Sequence, residues 1–277
     1  MIRLNSDGTA DTAFNIGSGF SYDVLSISPV TDGSGDLYVG GEFVSYNGTY
    51  SNGLIRLNSD GTVDNAFNVG RGFGGDIVNS ISLATDGSGD LYVGGRFSAY
   101  NGIGSNRLIR LNSDGSVDTA FDVGSGFNES INCIRLAADG SGKLYVGGEF
   151  TAYKGTDSNG LIRLNSDGSV DTTFNVDSGV YSRIDSISPA ADGSGDLYVS
   201  GWFEAYNSST GSTQLIRHNN DGTVDYEFSV GSDVGTVYSI SPATDGSGDL
   251  FVGGAFKSYQ STTVDRIVRL NPDGSLN

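Results

Sequence analysis

Short runs in which apolar and polar residues alternate recur along the whole chain, and glycine or aspartate bounds each run. Alternation over four to eight residues predicts half-buried β-strands, which we label A, B, C and D. One set of four lies at 77–84 (IVNSISLA), 90–97 (DLYVGGRF), 107–112 (RLIRLN) and 116–123 (SVDTAFDV). The connections TDGSGD (A to B) and NSDG (C to D) carry the Asp-Gly pair typical of tight hairpins. No stretch predicts a helix.

The strand pattern is a repeat. The phrase DGSGDLYVGG begins at Asp32, Asp86 and Asp192 and returns with single changes at Asp139 and Asp245, at intervals of 54, 53, 53 and 53 residues. A period of this size, with four antiparallel strands in each copy, predicts radially arranged blades.

Counting the strands predicts how the blades close. Strands A, B and D occur five times, and strand C occurs six times because both chain ends carry it. We therefore predict an all-β, five-bladed β-propeller of four-stranded antiparallel blades in one domain, 1–277. Joining the N-terminal strand D to the C-terminal strands A and B would close the ring and remove exposed sheet edges; either 2–5 or 267–271 supplies strand C of that blade. The predicted blades are 21–70, 74–124, 128–177, 181–231, and 235–271 together with 2–17.

The repeat resembles the bacterial delta-60 repeats. Their pattern, D-G-x-L-x-V-G-G-x-F, then x-Y-N-G, then R-L-N-x-D-G-[ST]-x-D-x-x-F-N, is found at residues 90–97, 100–102 and 110–121. The resemblance implies a propeller and, as usual hosts, large secreted, cell-surface or phage-virion proteins; it implies no reaction. The fourth repeat departs from the pattern at Ser200, Trp202 and His218.

Charge narrows the classes of partner. A net charge of −18, from 33 acidic and 15 basic residues, disfavours nucleic acid and anionic membranes, which need clustered Lys and Arg. No apolar run is long enough to insert into a membrane. The acidity favours an extracellular location, and the resemblance implies a cell-surface or virion host. Met1 leads directly into IRLNSDG without a signal peptide, so we expect a segment of a longer protein or export by another route.

Comparison of the repeats predicts where a ligand binds. The A–B and C–D turns barely change, whereas the B–C and D–A loops differ in every repeat, and recognition positions are expected to vary on a constant scaffold. The residue between the last glycine of strand B and the repeated phenylalanine varies in the same way. The predicted contacts are Glu42, Tyr50, Arg96, Glu149, Tyr181 and Trp202, whereas the recurring Tyr46, Tyr100, Tyr153, Tyr206 and Tyr259 are predicted to pack in the core.

These features predict a non-catalytic recognition module that binds a glycan or a surface protein on the variable loops. The alternative is a structural spacer that contacts neighbouring domains of a larger protein. An enzyme is disfavoured because His218 is the only histidine and no G-x-S-x-G motif occurs. Strand A, the inner strand of each predicted blade, offers only Asp185 as a carboxylate.

The aspartate-rich turns raise the question of calcium. Asn58, Asp60, Thr62 and Asp64 place oxygen atoms at alternate positions around a glycine, as calcium loops do. Asp-Gly is also what a tight hairpin needs without a metal, and no bidentate glutamate follows. Both interpretations stay open, and no other cofactor is predicted.

Overall fold

The computed structural model describes residues 1–176, 180–205, 214–231 and 234–277, together with the side chains of these residues except those of 180, 181, 204 and 205. The described residues form β-strands and turns and contain no helix. Accordingly, no helix in this part of the chain is long and apolar enough to cross a bilayer. The all-β prediction is confirmed.

The chain divides into two compact units, Met1–Gly126 and Phe127–Asn277. The first unit contains two three-stranded sheets and two short hairpins. Sheet I is β1 (Val24–Pro29), β2 (Leu37–Gly41) and β5 (Leu54–Leu57), with the hairpin β3 (Ser45–Tyr46) and β4 (Thr49–Tyr50); sheet II is β6 (Val78–Leu83), β7 (Leu91–Gly95) and β10 (Leu108–Leu111), with the hairpin β8 (Ala99–Tyr100) and β9 (Ile103–Gly104).

The second unit repeats this plan in three sheets. Sheet III consists of β11 (Ile131–Leu136), β12 (Leu144–Gly148) and β15 (Leu161–Leu164), with the hairpin β13 (Ala152–Tyr153) and β14 (Thr156–Asp157). Sheet IV consists of β16 (Val180–Pro189), β17 (Leu197–Ala205) and β18 (Leu215–His218). Sheet V consists of β19 (Thr236–Pro242), β20 (Leu250–Ala255) and β23 (Ile267–Leu270), with the hairpin β21 (Ser258–Tyr259) and β22 (Thr262–Thr263).

Strands A, B and C form as predicted, with strand B in the middle of each sheet and both pairings antiparallel. The predicted strand D is reduced to a single bridge beside strand C, as between Leu57 and Val63. It ends there because the next residue, Asp64, accepts a hydrogen bond from the amide of Ala66 and turns the chain. The sheets are therefore three-stranded.

The hydrophobic core lies between successive sheets. In the first unit, Tyr38 and Leu54 of sheet I share one buried cluster with Val78, Ile81 and other residues of sheet II. In the second unit, one cluster joins sheets III and IV and another joins sheets IV and V. Within each unit, successive repeats therefore bury apolar residues against each other, as stacked repeats do.

A hydrogen bond also links successive repeats. The amide of Asn15 donates to the carbonyl of Asp60 at 2.9 Å, and the same bond recurs from Asn68 to Asp114, from Asn175 to Asp221 and from Ser229 to Asp273. Glycine is needed beside this bond, because Gly61 has φ +88° and a Cβ there would lie 2.7 Å from the carbonyl oxygen of Asn15. The C–D turn is therefore a contact between repeats as well as a reversal of the chain.

The B–C connection contains a hairpin that strand counting missed. Asn47 and Gly48, both with positive φ, form the tip between β3 and β4, as expected for a two-residue type I′ turn. The hairpin contacts the preceding D–A loop, since Asn47 Oδ1 accepts a hydrogen bond from the amide of Ser18. The B–C and D–A loops therefore meet at this point of the first unit.

The two ends of the repeat array are unlike its middle. Ile27 of β1 is 48% exposed, whereas its equivalents Ile81, Ile134, Ile187 and Ile240 are 0 to 6% exposed. At the other end, Phe251 and Ile267 of sheet V are exposed, although the matching residues of the other sheets are buried.

The predicted exchange of a terminal strand is not seen in the described residues. Ala10 pairs with Leu4 of its own segment, and Phe14 packs against sheet I; in the last repeat, Leu270 pairs with Leu276. In the described residues, each chain end therefore forms its own C–D bridge.

Candidate binding site

Two variable positions lie at the same end of every sheet. We call the residue after the second glycine of strand B the rim residue; the rim residues are Glu42, Arg96, Glu149, Trp202 and Ala255. Strand A carries a β-bulge opposite these glycines. The inserted bulge residues are Leu25, Asn79, Asn132, Asp185 and Tyr238.

The backbone around these positions is the same from repeat to repeat. The amide of Glu42 donates to the carbonyl of Asp23, that of Arg96 to Ile77, and that of Glu149 to Ser130, each at 2.9 Å. A bulge re-aims the side chain that it inserts. Each sheet therefore presents its own combination of rim and bulge residue at equivalent backbone positions.

In the second unit, three of these side chains come together around a fourth, that of Arg183. Arg183 pairs directly with Trp202 across β16 and β17, so both side chains lie on the same face of sheet IV. The Nε atom of Arg183 contacts Asp185 Oδ1 and lies 3.9 Å from Glu149 Oε1, which belongs to sheet III. We call Glu149, Arg183, Asp185 and Trp202 the rim cluster.

The rim cluster is accessible to a ligand. Trp202 is 58% exposed and the side chain of Arg183 is 52% exposed. Their neighbours in sequence, Ile184 and Phe203, are buried in the core. Strand alternation thus holds the indole and the guanidinium outside while the same strands anchor the sheet.

The other predicted contacts are placed as follows. Glu42 and Arg96 are exposed rim residues of the first unit. Tyr50 lies in β4 with its ring exposed, and its hydroxyl accepts a hydrogen bond from Asn52 Nδ2. Tyr181 pairs with Phe203 through its backbone, and its side chain lies outside the described part of the structure.

Sequence comparison missed Arg183 and Tyr238. Arg183 stands in the D–A loop of the repeat pattern, where its approach to the rim could not be foreseen. Tyr238 occupies the bulge position of sheet V and is exposed. A signal in the sequence could have indicated the bulge position. The second residue of strand A is Leu, Asn, Asn, Asp and Tyr in the five repeats, while the residues around it barely change.

The carboxylates of the A–B turns surround an arginine of strand C. Arg110 contacts Asp86 at 2.6 Å, Asp90 at 3.0 Å and Asp118 at 3.2 Å. Arg56 and Arg217 are likewise each held by three aspartates. A guanidinium therefore occupies the centre of these acidic turns.

The third repeat shows how this arrangement responds to substitution. Lys143 replaces the last aspartate of the turn and pairs with Asp171 at 2.9 Å. Arg163 also contacts Asp171 and donates to the carbonyl and side-chain oxygens of Asn220 in the next repeat. Arg217, whose turn keeps its aspartates, likewise donates to the carbonyl of Pro272 in the next repeat, so this link does not depend on the substitution.

The predicted calcium residues have protein partners. Asp60 Oδ1 accepts hydrogen bonds from the amide and hydroxyl of Thr62, and Asn58 Nδ2 donates to the Thr62 hydroxyl. Asp64 Oδ2 lies 3.1 Å from Arg56 Nε. Within the described ranges, no group of three or more His, Cys, Asp or Glu side chains is arranged to hold a metal ion. These contacts account for the residues as turn formers.

The recurring tyrosines pack in the core, as predicted. Tyr46, Tyr100, Tyr153 and Tyr259 are fully buried, and each hydroxyl donates to the carbonyl of the C–D turn glycine at 2.5 to 2.7 Å. Tyr206 lies outside the described residues. In that repeat the buried His218 uses Nδ1 to bond the matching carbonyl, that of Gly222. This contact gives the single histidine a structural role.

Two further groups that could carry out chemistry, Asp185 and Cys133, are engaged or buried. Asp185 contacts Arg183. Cys133 is buried, and the lack of water around it raises the pKa of its thiol to about 12, so the reactive thiolate is scarce at neutral pH.

Solved structures support a propeller architecture. The β-propeller domain of Cps50 (Swd1) from Myceliophteria thermophila aligns with a TM-score of 0.53 and 11% identity over 90% of this chain and 65% of that one. The GH74 enzyme of Niastella koreensis aligns with a TM-score of 0.55 and 13% identity over 92% and 38%. A chain of a mitotic checkpoint complex gives 0.54 and 13% over 89% and 78%. Identities this low show the fold alone.

The chain thus spans less than two thirds of the first two of these proteins. No curated protein matches it. The family described as "domain of unknown function (DUF5122) beta-propeller" matches five segments, residues 33–67, 84–121, 139–174, 192–228 and 246–277. Because these five repeats cover well over half of the sequence, the chain belongs to the DUF5122 β-propeller family.

Proposed function

We propose that this chain is a non-catalytic recognition module that binds a glycan or a surface protein through its rim residues and variable loops. The observation that carries the proposal is the exposed Trp202, held on a backbone frame that other repeats share but fill with different side chains. Exposed aromatic side chains on rigid elements are effective contact residues because little conformational entropy is lost on binding.

The setting of the module is part of the proposal. The resemblance to delta-60 repeats and the net charge of −18 support an extracellular, cell-surface or virion protein with neighbouring domains. Contacts of individual modules can be weak there, because display in many copies raises the effective affinity.

We also propose that the five repeats form a closed ring. The exposed Ile27 face of sheet I and the exposed Phe251 and Ile267 face of sheet V carry apolar residues at positions whose equivalents are buried between neighbouring sheets elsewhere. Such faces would suit each other as the two halves of one inter-repeat interface. Closure would bury apolar surface and cover the edges of the array.

Binding assays on a glycan array and on whole cells test the recognition function. We expect the wild type to bind and Trp202→Ala to bind at least tenfold more weakly. Tyr226→Ala is the matched control, because Tyr226 is equally exposed in the same repeat but lies outside the rim. Equal binding by wild type and Trp202→Ala would remove Trp202 from the site.

The second candidate function is a structural spacer. The exposed apolar ends of the array favour it, since such surfaces also suit a neighbouring domain. A tight complex with a flanking domain, together with no ligand on either assay, would support the spacer over the recognition module.

A further inference from the structure

We propose that the rim cluster binds a neutral pyranose sugar, with Trp202 as the stacking platform and Arg183 and Glu149 as partners for adjacent hydroxyl groups. This inference rests on the proposed recognition function and names its ligand class.

The arrangement provides the chemistry that a sugar needs. A pyranose has an apolar C–H face, which suits an exposed indole, and a rim of hydroxyl groups that both donate and accept hydrogen bonds. Arg183 lies directly across the strands from Trp202. A guanidinium presents several N–H donors in a fixed plane. Glu149, from the neighbouring sheet, brings carboxylate acceptors to the same place.

Part of the guanidinium stays outside the ion pairs. Both the contact with Asp185 and the 3.9 Å approach of Glu149 are made by Nε of Arg183. Asp185 is the less exposed of the two carboxylates, with a side-chain exposure of 12% against 35% for Glu149. We assign Asp185 the positioning of Arg183, while Glu149 and the terminal Arg183 nitrogens meet the ligand.

Charge selects a neutral ligand over an anionic one. Two carboxylates and one guanidinium leave the rim cluster with a formal charge of −1, on a chain whose net charge is −18. A uronic or sialic acid would be repelled at short range. A cationic ligand would prefer an unpaired carboxylate, whereas Asp185 is engaged by Arg183.

Intrinsic fluorescence gives a direct test, because Trp202 is the only tryptophan in the chain. Methyl glycosides of glucose, galactose and mannose are titrated into the wild type, with glucuronic acid, N-acetylneuraminic acid and choline in parallel. We expect a saturable change in Trp202 emission with at least one neutral glycoside, with a dissociation constant on the order of 1 mM, and none with the two acids or choline.

Variants separate the roles in the rim cluster. Arg183→Met and Glu149→Gln are expected to weaken the neutral sugar at least tenfold. Asp185→Asn is expected to weaken it through loss of positioning, with a shifted Trp202 emission in the free protein that Asp185→Glu partly restores. Arg135→Met, at an exposed arginine beside the A–B turn of sheet III, is the control and is expected to bind as the wild type does; circular dichroism verifies the fold of each variant.

The possible failures are distinguishable. If Trp202→Ala abolishes binding on the arrays but no neutral pyranoside changes the emission, the recognition function stands and the sugar assignment is overturned. A saturable response to choline or to either acid also overturns it. Wild-type binding to nothing on the glycan and cell arrays would overturn both proposals.

Discussion

Gly95 shows how the lack of a side chain determines the shape of a repeat. A Cβ at this position would lie 2.0 Å from the carbonyl oxygen of Ile77, where strand A bulges toward strand B. The matching glycines, Gly41, Gly148, Gly201 and Gly254, meet a carbonyl oxygen at 2.1 Å. The second glycine of the LYVGG phrase is therefore required by the bulge that carries the variable residue.

We expect Gly95→Ala to lower the free energy of unfolding by about 1–3 kcal/mol or more, because backbone must move to admit the methyl group. Gly104→Ala is the matched control: its Cβ would meet nothing within 4 Å, and surface changes of this kind stay within about 0.5 kcal/mol. Urea unfolding followed by circular dichroism measures both. Equal stability of the two variants would contradict the steric account.

Burial of single residues was largely predictable from the sequence, and their partners were not. A tyrosine that recurs at the same position of every repeat is expected to be buried, and Tyr46 and its described equivalents are. That their hydroxyls reach the carbonyl of the C–D turn depends on how the β3–β4 hairpin folds back. Such a long-range contact leaves no periodic signal in the chain.

At the level of elements, the hairpin tip of the last repeat departs from the favoured turn sequence. Gln260 and Ser261 both have positive φ, at positions where the first two repeats have Asn-Gly. Residues other than glycine or asparagine are strained in this conformation. The cost is local, because the hairpin β21–β22 still forms.

Ser261→Gly is expected to raise the free energy of unfolding by about 0.5–1 kcal/mol, by relieving this strain. Gly102→Ser, the reverse change at the equivalent position of the second hairpin (φ +79°), is expected to lower it by a similar amount. Thermal melts of the two variants are compared with the wild type. A loss of stability in Ser261→Gly would refute the strain argument.

The A–B turns make the stability of the fold depend on pH. The Ser88 hydroxyl donates to Asp86 at 2.5 Å and, with the Ser88 amide and Arg110, lowers the pKa of Asp86 to about 2 although partial burial acts the other way. Since the pKa is lower in the folded state, the carboxylate stabilises the fold at pH above about 4, and this contribution is lost as the pH falls toward about 2.

We expect Ser88→Ala to destabilise the protein at pH 7 and to have a much smaller effect at pH 2, where about half of wild-type Asp86 is already protonated. Ser98→Ala, an exposed serine of the same repeat, should have a small effect that does not change with pH. Unfolding curves at several pH values between 2 and 7 measure the difference. A constant effect of Ser88→Ala would show that Asp86 is not its target.

Element prediction succeeded where a local pattern decides the outcome. Strands A, B and C follow from alternation and from Asp-Gly turns. The hairpin at Asn47-Gly48 was also readable from its turn residues, but it was counted as loop because its strands are two residues long. Strand D was predicted too long. The chain turns there because the Asp64 carboxylate accepts a hydrogen bond from the amide of Ala66, and an alternation pattern does not show such a bond.

At the level of the whole molecule, the unmatched end faces bear on ring closure. If Ile27 packs against sheet V in a closed ring, Ile27→Asp would place a charge in an apolar interface and is expected to cost at least about 2 kcal/mol. Ile103→Asp, at an exposed site in the β8–β9 hairpin, is the control and is expected to cost little. Urea unfolding at several protein concentrations, with sedimentation to verify a monomer, measures both.

An Ile27→Asp variant as stable as Ile103→Asp would contradict closure, and a cost that grows with protein concentration would indicate association between chains instead. The number of repeats was predictable from the sequence, because the nearly identical DGSGDLYVGG segment occurs five times. How the chain ends meet was not, since residues 2–5 and 267–271 carry the same strand C pattern.

The constant frame around each bulge has a consequence for how such a protein can change its specificity. Glu42, Arg96 and Glu149 are held by equivalent backbone hydrogen bonds. The rim and loop codons of one repeat can therefore be copied into another by gene conversion without disturbing the backbone on either side. The near-identical DNA expected on either side of each variable stretch would itself promote that exchange. Selection could then act on combinations of contact residues that have already been tried elsewhere in the same gene.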